Sequence, residues 1–137
     1  TTSSSSYVDI TGFNQAITPL AASSKILVIL SAAIYASPTT TWNGQVGVSV
    51  NRSVAGGSYT AVASQMPGSY IQETYTRYFH ISCNINFLDS PSYSLGNAIT
   101  YKLQMKSGDT NISSGCMVSM GGVTNGASKL LLLEVAG

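Results

Sequence analysis

The sequence predicts an all-β fold, an eight-stranded antiparallel β-sandwich wound most economically as a jelly roll. Three observations carry that reading. Charged residues make up only 8% of the chain, against about 25% in ordinary globular domains, so the long Lys and Glu side chains that stock exposed helices are nearly absent. Thr, Val, Ile and Tyr, which suit a pleated surface, take their place. Short alternating segments are separated by Gly, Pro, Ser, Asn and Asp, the turn formers. At 137 residues the chain is long enough for one domain with its own core. We expect a linker over residues 1–6 and a single sandwich over 7–137.

The elements follow in order. Residues 7–10 and 13–18 make an opening strand kinked at Gly12 and closed by Pro19. Residues 25–36, KILVILSAAIYA, are apolar on both faces, as a central strand is. Residues 45–51 alternate, with Val46, Val48 and Val50 on one side; residues 58–63 form a weaker strand. The clearest alternation follows: Phe79, Ile81, Cys83, Ile85 and Phe87 share one face, and His80, Ser82, Asn84 and Asn86 the other. After the break at Asp89, Ser90 and Pro91, the residues Ile99, Tyr101, Leu103 and Met105 define another half-buried strand. Residues 112–118 and 129–135 complete the set of eight, separated by a Gly-rich loop. No repeat of propeller or solenoid length is visible.

The closing segment, KLLLLEVAG, places Leu130 to Leu133 in a row. A strand has period two, so such a run has no polar face and needs cover on both sides. It is far shorter than the ~20 residues that cross a bilayer. One face belongs against the second sheet, and the other against another subunit or a covering loop.

Composition and motifs exclude much chemistry. The net charge of +1 offers no basic field for nucleic acid, and no membrane insertion is expected. His80 is the sole histidine, so no multi-histidine metal site exists within one chain; no metal or cofactor is implied. Asp9, Glu73, Asp89, Asp109 and Glu134 fall on different segments, a poor start for the paired carboxylates of glycoside hydrolysis. There is no G-x-S-x-G elbow and no phosphate-binding loop. The expectation is a protein that is not an enzyme. Cys83 and Cys116 permit one bridge without demanding it, and buried free thiols are the expected state. Aromatic residues in loops are the better functional lead, since flat rings beside amides suit carbohydrate or protein surfaces.

Three stretches together resemble the distal domain of bacteriophage tail fibres, particularly of marine and cyanobacterial phages. They are SSSSYVDITGFNQAITPLAASSKILVILSAAI, NFLDSPSYSLGNAITYKLQMKSGDT and KLLLLEVAG, in that order along the chain. The resemblance implies a homotrimeric knob similar to complement-type and tumour-necrosis-factor-type heads, carried on a shaft, with the C-terminal strand central and near the threefold axis. It implies a virion location, on a tail fibre or on the capsid surface. The expected partners are a host-surface glycan or protein and other virion structural proteins. A capsid decoration or cement trimer is the alternative, and a monomeric carbohydrate-binding module of a cell is a third class, which would cover its leucines within one chain.

Residues follow from these expectations. Leu131, Leu133, His80 and Tyr78 are assigned to the trimer interface. Eight alternating strands bring both termini to one end, where a shaft would attach, and put Arg52, Tyr59, Tyr93 and Asn125 at the opposite tip as receptor-binding residues.

Overall fold

The computed structural model describes residues 4–38, 42–44, 46–67, 71–73, 79–107, 116–120 and 128–137, and every regular element among them is a strand. In chain order these are β1 (Val8–Ile17), β2 (Lys25–Pro38), β3 (Trp42–Gly44), β4 (Val46–Val54), β5 (Thr60–Gln65), β6 (Ile71–Glu73), β7 (Phe79–Asp89), β8 (Ile99–Ser107), β9 (Cys116–Met120) and β10 (Lys129–Val135). The first sheet has the order β1-β8-β4-β5; the second has β10-β2-β7, with β9 also on β2; β3 and β6 form a separate ribbon. Every pairing is antiparallel.

Alternation decides which faces meet. Val46, Val48 and Val50 of β4 and Ile99, Tyr101, Leu103 and Met105 of β8 turn one way and are buried. From the second sheet, Ile26, Val28, Leu30, Ala32 and Ile34 of β2 and Cys83 and Ile85 of β7 join them in one apolar cluster. The two sheets therefore pack as a β-sandwich-like pair around a shared core. Burying each large aliphatic side chain stabilises the fold by about 1.5–3 kcal/mol, which explains why so few ion pairs suffice.

The expected count and winding are corrected. Among the described residues there are ten strands, because β3 and β6 add a short ribbon to the eight expected segments. Two of the eight act as one. β7 occupies one edge of β2 from Ile26 to Ala36, so β9 and β10 must both lie along the other edge. β9 faces the stretch from Ile34 to Pro38 and β10 that from Lys25 to Ser31, both antiparallel to β2. They are successive pieces of one interrupted strand. At the break, the Ser128 hydroxyl accepts from the Ala33 N–H at 3.1 Å, taking the place of a ladder carbonyl. The chain thus crosses the sandwich an odd number of times. A jelly roll pairs its first strand with its last, whereas here β1 lies beside β8 and β10 beside β2.

Odd crossing separates the termini. At one end Ser107 N–H donates to the Ser4 carbonyl at 2.7 Å, and the Tyr7 hydroxyl and the Lys106 side chain crowd the place a Cβ on Gly47 would take. At the other end Val135 faces Lys25 and the Glu134 carboxylate accepts from the N–H groups of Leu20 and Ala21. The expectation of two termini at one end is overturned. Along β10 the expected central position is also corrected, since among the described residues it pairs with β2 alone and is an edge strand.

Cys83 is a fully buried free thiol that donates to Gln65 Oε1 at 3.3 Å, and burial pushes its pKa up to about 11. In the native protein it is expected to resist alkylation at neutral pH and to react once denaturant opens the core, as read by mass spectrometry. Native labelling at the rate of an exposed thiol would contradict the buried position.

Candidate functional site

At the end far from Ser4 the loops before β2, after β4 and before β8 meet, and two of the four residues assigned there, Arg52 and Tyr93, hold the fold together. Arg52 has the inward parity of Val48 and Val50, and its Nη1 donates to both oxygens of Asp89 at 2.6 and 2.7 Å. The Tyr101 hydroxyl donates to Asp89 Oδ2 at 2.6 Å. Arg52 and Tyr101 belong to the first sheet and Asp89 to the second, so this triad clasps the sheets at the mouth of the core. Burial, and then donation to Asp89, raise the Tyr101 pKa and keep the phenol neutral. The Tyr93 hydroxyl lies 2.6 Å from the Ala21 carbonyl and 3.0 Å from that of Ser24, pinning the loop before β8 to the loop before β2. Of the four expected receptor contacts, Tyr59 stays open at 42% exposure, and Asn125 lies outside the described residues.

The residues assigned to the subunit contact share one surface, the outward face of the second sheet. Leu133 stands in register with Leu27, which faces Leu88; Leu131 stands in register with Ile29. Leu131, Leu133 and Leu88 are 49%, 44% and 49% exposed, while Leu130 and Leu132 pack on the core. Among the described residues the leucine run is therefore covered on one face only. Farther along, His80 is exposed and meets Tyr35 edge-on at 5.2 Å, with Ser31, Ser82 and Asn84 between. Lys25 and Lys129 share the outward parity, and no carboxylate does among the described residues of these strands. Tyr78 lies outside the described residues.

A third feature was not anticipated. β1 bulges: Asp9 faces Gln104 and Asn14 faces Lys102, so residues 10–13 stand against Leu103 alone. Gly12 makes the turn at φ +85° with open space around it. On the outward side of the first sheet the bulge walls a cleft of about 320 Å³ bordered by Asp9, Thr11, Asn14, Tyr59 and Lys102. Lys102 Nζ donates to Asp9 Oδ2 at 2.9 Å and sits 4.1 Å from the Tyr59 ring centroid; Gln104 Nε2 donates to Asp9 Oδ1 at 2.8 Å. Asn51 Nδ2 donates in turn to Gln104 Oε1 at 3.1 Å. The hydrogen bond from Gln104, and then that from Lys102, hold the Asp9 pKa below its ordinary value. Toward β10 a second groove of about 390 Å³ runs past Phe13, Gln15, Lys129 and Leu131. The kink at Gly12 was legible in the sequence, but the partners it gathers come from distant strands.

Among the described residues no three metal-ligating side chains come together. The three described carboxylates all have partners: Asp89 in the clasp, Asp9 in the cleft, and Glu134 on Ser24 and the backbone of Leu20 and Ala21. The fold and surface define a class, a β-sandwich-like domain with an uncovered aliphatic sheet face. Comparison goes no further: no family model, no curated protein and no solved structure matches this chain.

Two outcomes test this geometry. Arg52→Ala leaves the nearly buried Asp89 carboxylate without its cation and is expected to cost about 3 kcal/mol in chemical denaturation; a loss within about 0.5 kcal/mol, the size of an ordinary surface change, would remove the clasp from the account. Glu134 is held below its ordinary value of 4.5, first by Ser24 and then by the two backbone donors. Its contribution is present above pH 4.5 and is lost as the pH falls through the depressed native value. A Glu134→Gln variant is expected to show a shallower fall of Tm in that acid range, and an unchanged acid limb would count against the contact.

Proposed function

We propose that this chain is a non-enzymatic, homotrimeric head of a phage virion, the distal knob of a tail fibre that binds a host-surface glycan or protein. The observation that carries the reading is the outward face of the second sheet, where Leu131, Leu133 and Leu88 are exposed beside Leu27 and Ile29. Aliphatic side chains gathered on a sheet face, at the edge of which β10 pairs with β2 alone among the described residues, favour association over solvent exposure. A second and third copy of the same chain are the occupants argued for. The face lacks carboxylates among its described residues, so it offers no anionic complement to a basic partner, and three leucine faces converging on one axis cover each other. The three sequence stretches that resemble tail-fibre heads support the virion setting.

With Ser4 at one end and the loops around Tyr59 and Tyr93 at the other, a shaft joined ahead of Ser4 holds those loops outward. Three weak sites on one rigid head then add through avidity, without a tight single contact.

Light scattering coupled to size exclusion is expected to give three times the 14.3 kDa chain mass. Leu131→Ser combined with Leu133→Ser is expected to give a folded monomer, since neither side chain serves the core. A wild-type monomer would overturn the trimer, and a trimer indifferent to both substitutions would move its interface elsewhere.

A further inference from the structure

The geometry points to the cleft beside the β1 bulge as a binding site for a neutral saccharide ring, held by Asp9 and Tyr59. A carboxylate offers about four acceptor positions. Gln104 takes one on Oδ1 and Lys102 one on Oδ2, which leaves about one position on each oxygen. Two adjacent hydroxyls of a pyranose match that pair, each donating to one oxygen, and hydrogen bonds to an ionised acceptor are the strong kind. The acceptor is also fixed in advance, because Lys102 and Gln104 hold both oxygens and Asn51 holds Gln104, so little ordering is left to binding.

The remaining walls fit the same ligand. Tyr59 is 42% exposed; Lys102 Nζ covers one face of its ring at 4.1 Å, and the other face is the flat apolar surface left for the C–H face of a sugar. Thr11 and Asn14 also line the cleft, with Ile10, Phe13 and Leu103, and add a hydroxyl and an amide. A cleft of about 320 Å³ is at the small end of ligand sites, a size for one or two rings. Charge selects against other classes. Lys102 is already held between the Asp9 carboxylate and the Tyr59 ring, so its charge is answered within the cleft and no net field draws an ion. Gly12 keeps the rim open, since a side chain there would be strained at φ +85°.

This inference deepens the adhesin reading and rests on it for biological meaning, although binding itself does not depend on assembly. Glucose, galactose, mannose and N-acetylglucosamine, with glucuronic acid as the charged control, would be titrated into isotope-labelled protein and followed by amide chemical shifts. At least one neutral sugar is expected to shift residues 9–14, Tyr59 and 101–103 saturably. Asp9→Asn is expected to weaken it about tenfold, the scale of a lost hydrogen bond to a charged group, and Tyr59→Ala by a similar factor, while Tyr59→Phe retains binding. Both positions are exposed, and an unchanged amide spectrum away from the cleft certifies the fold of each variant. Shifts confined to another surface, a preference for glucuronic acid that survives Asp9→Asn, or no response to any sugar would overturn the inference. Attachment of the intact protein to host cells, scored separately, distinguishes the two readings: attachment without sugar binding removes the saccharide site and keeps the head, and sugar binding without attachment does the reverse.

Discussion

Strand β2 carries β7 along one edge and β9 followed by β10 along the other, so the whole second sheet hangs on the register of one strand. Its inward residues, Ile26 through Ile34 at every second position, are also the second sheet's main share of the core. A slip by one residue would turn that set outward and bring Leu27 and Ile29 inward. Register is fixed against such a slip because the facing strands alternate in step. Cys83 and Ile85 of β7 and Leu130 and Leu132 of β10 enter the core side together with β2's own residues. The first sheet closes the core from the other side with Val46, Val48, Val50 and the buried side of β8.

The clasp of Arg52, Asp89 and Tyr101 works on a different principle. Apolar packing sets how far apart the sheets lie but not how they slide, because it has little direction. A charge-assisted contact between β4, β7 and β8 has direction, and it sits where the core meets the loops. Buried ion pairs serve specificity better than net stability, and this one aligns the loop end on which Tyr59 and Tyr93 are mounted. Tyr93 continues the same task by bonding two carbonyls of the loop ahead of β2.

Polar residues on the outward faces divide the labour between the sheets. The first sheet turns Ser49, Asn51, Lys102 and Gln104 outward and joins them with Asp9 into a hydrogen-bonded ladder that ends at the β1 cleft. The second sheet turns leucines outward at one half and serines and asparagines at the other. One surface is thus polar and internally hydrogen-bonded, and the other is in part aliphatic.

Alternation along the chain determined the strands, their inward faces and much of the core, because a period of two is written in neighbouring residues. Val46, Val48 and Val50, the set from Ile99 to Met105, and Ile81, Cys83, Ile85 and Phe87 of β7 were readable in that way. The leucine run was readable as apolar on both faces; Leu130 and Leu132 pack on the core while Leu131 and Leu133 stay exposed, and Leu131, Leu133 and His80 share one face. Tertiary structure alone decided the rest. Residues 112–118 and 129–135 read as two strands, and only the pairing of β9 (Cys116–Met120) and β10 with β2 makes these described parts one interrupted edge, which sends the termini to opposite ends and unmakes the jelly roll. Arg52 read as a loop cation until Asp89, thirty-seven positions along the chain, accepted from its Nη1 with both carboxylate oxygens. The cleft joins Asp9 to Lys102 across ninety-three positions. Local pattern fixes which side of a strand is buried, whereas the identity of a strand's neighbour is a long-range hydrogen-bonding choice that no short window of sequence contains.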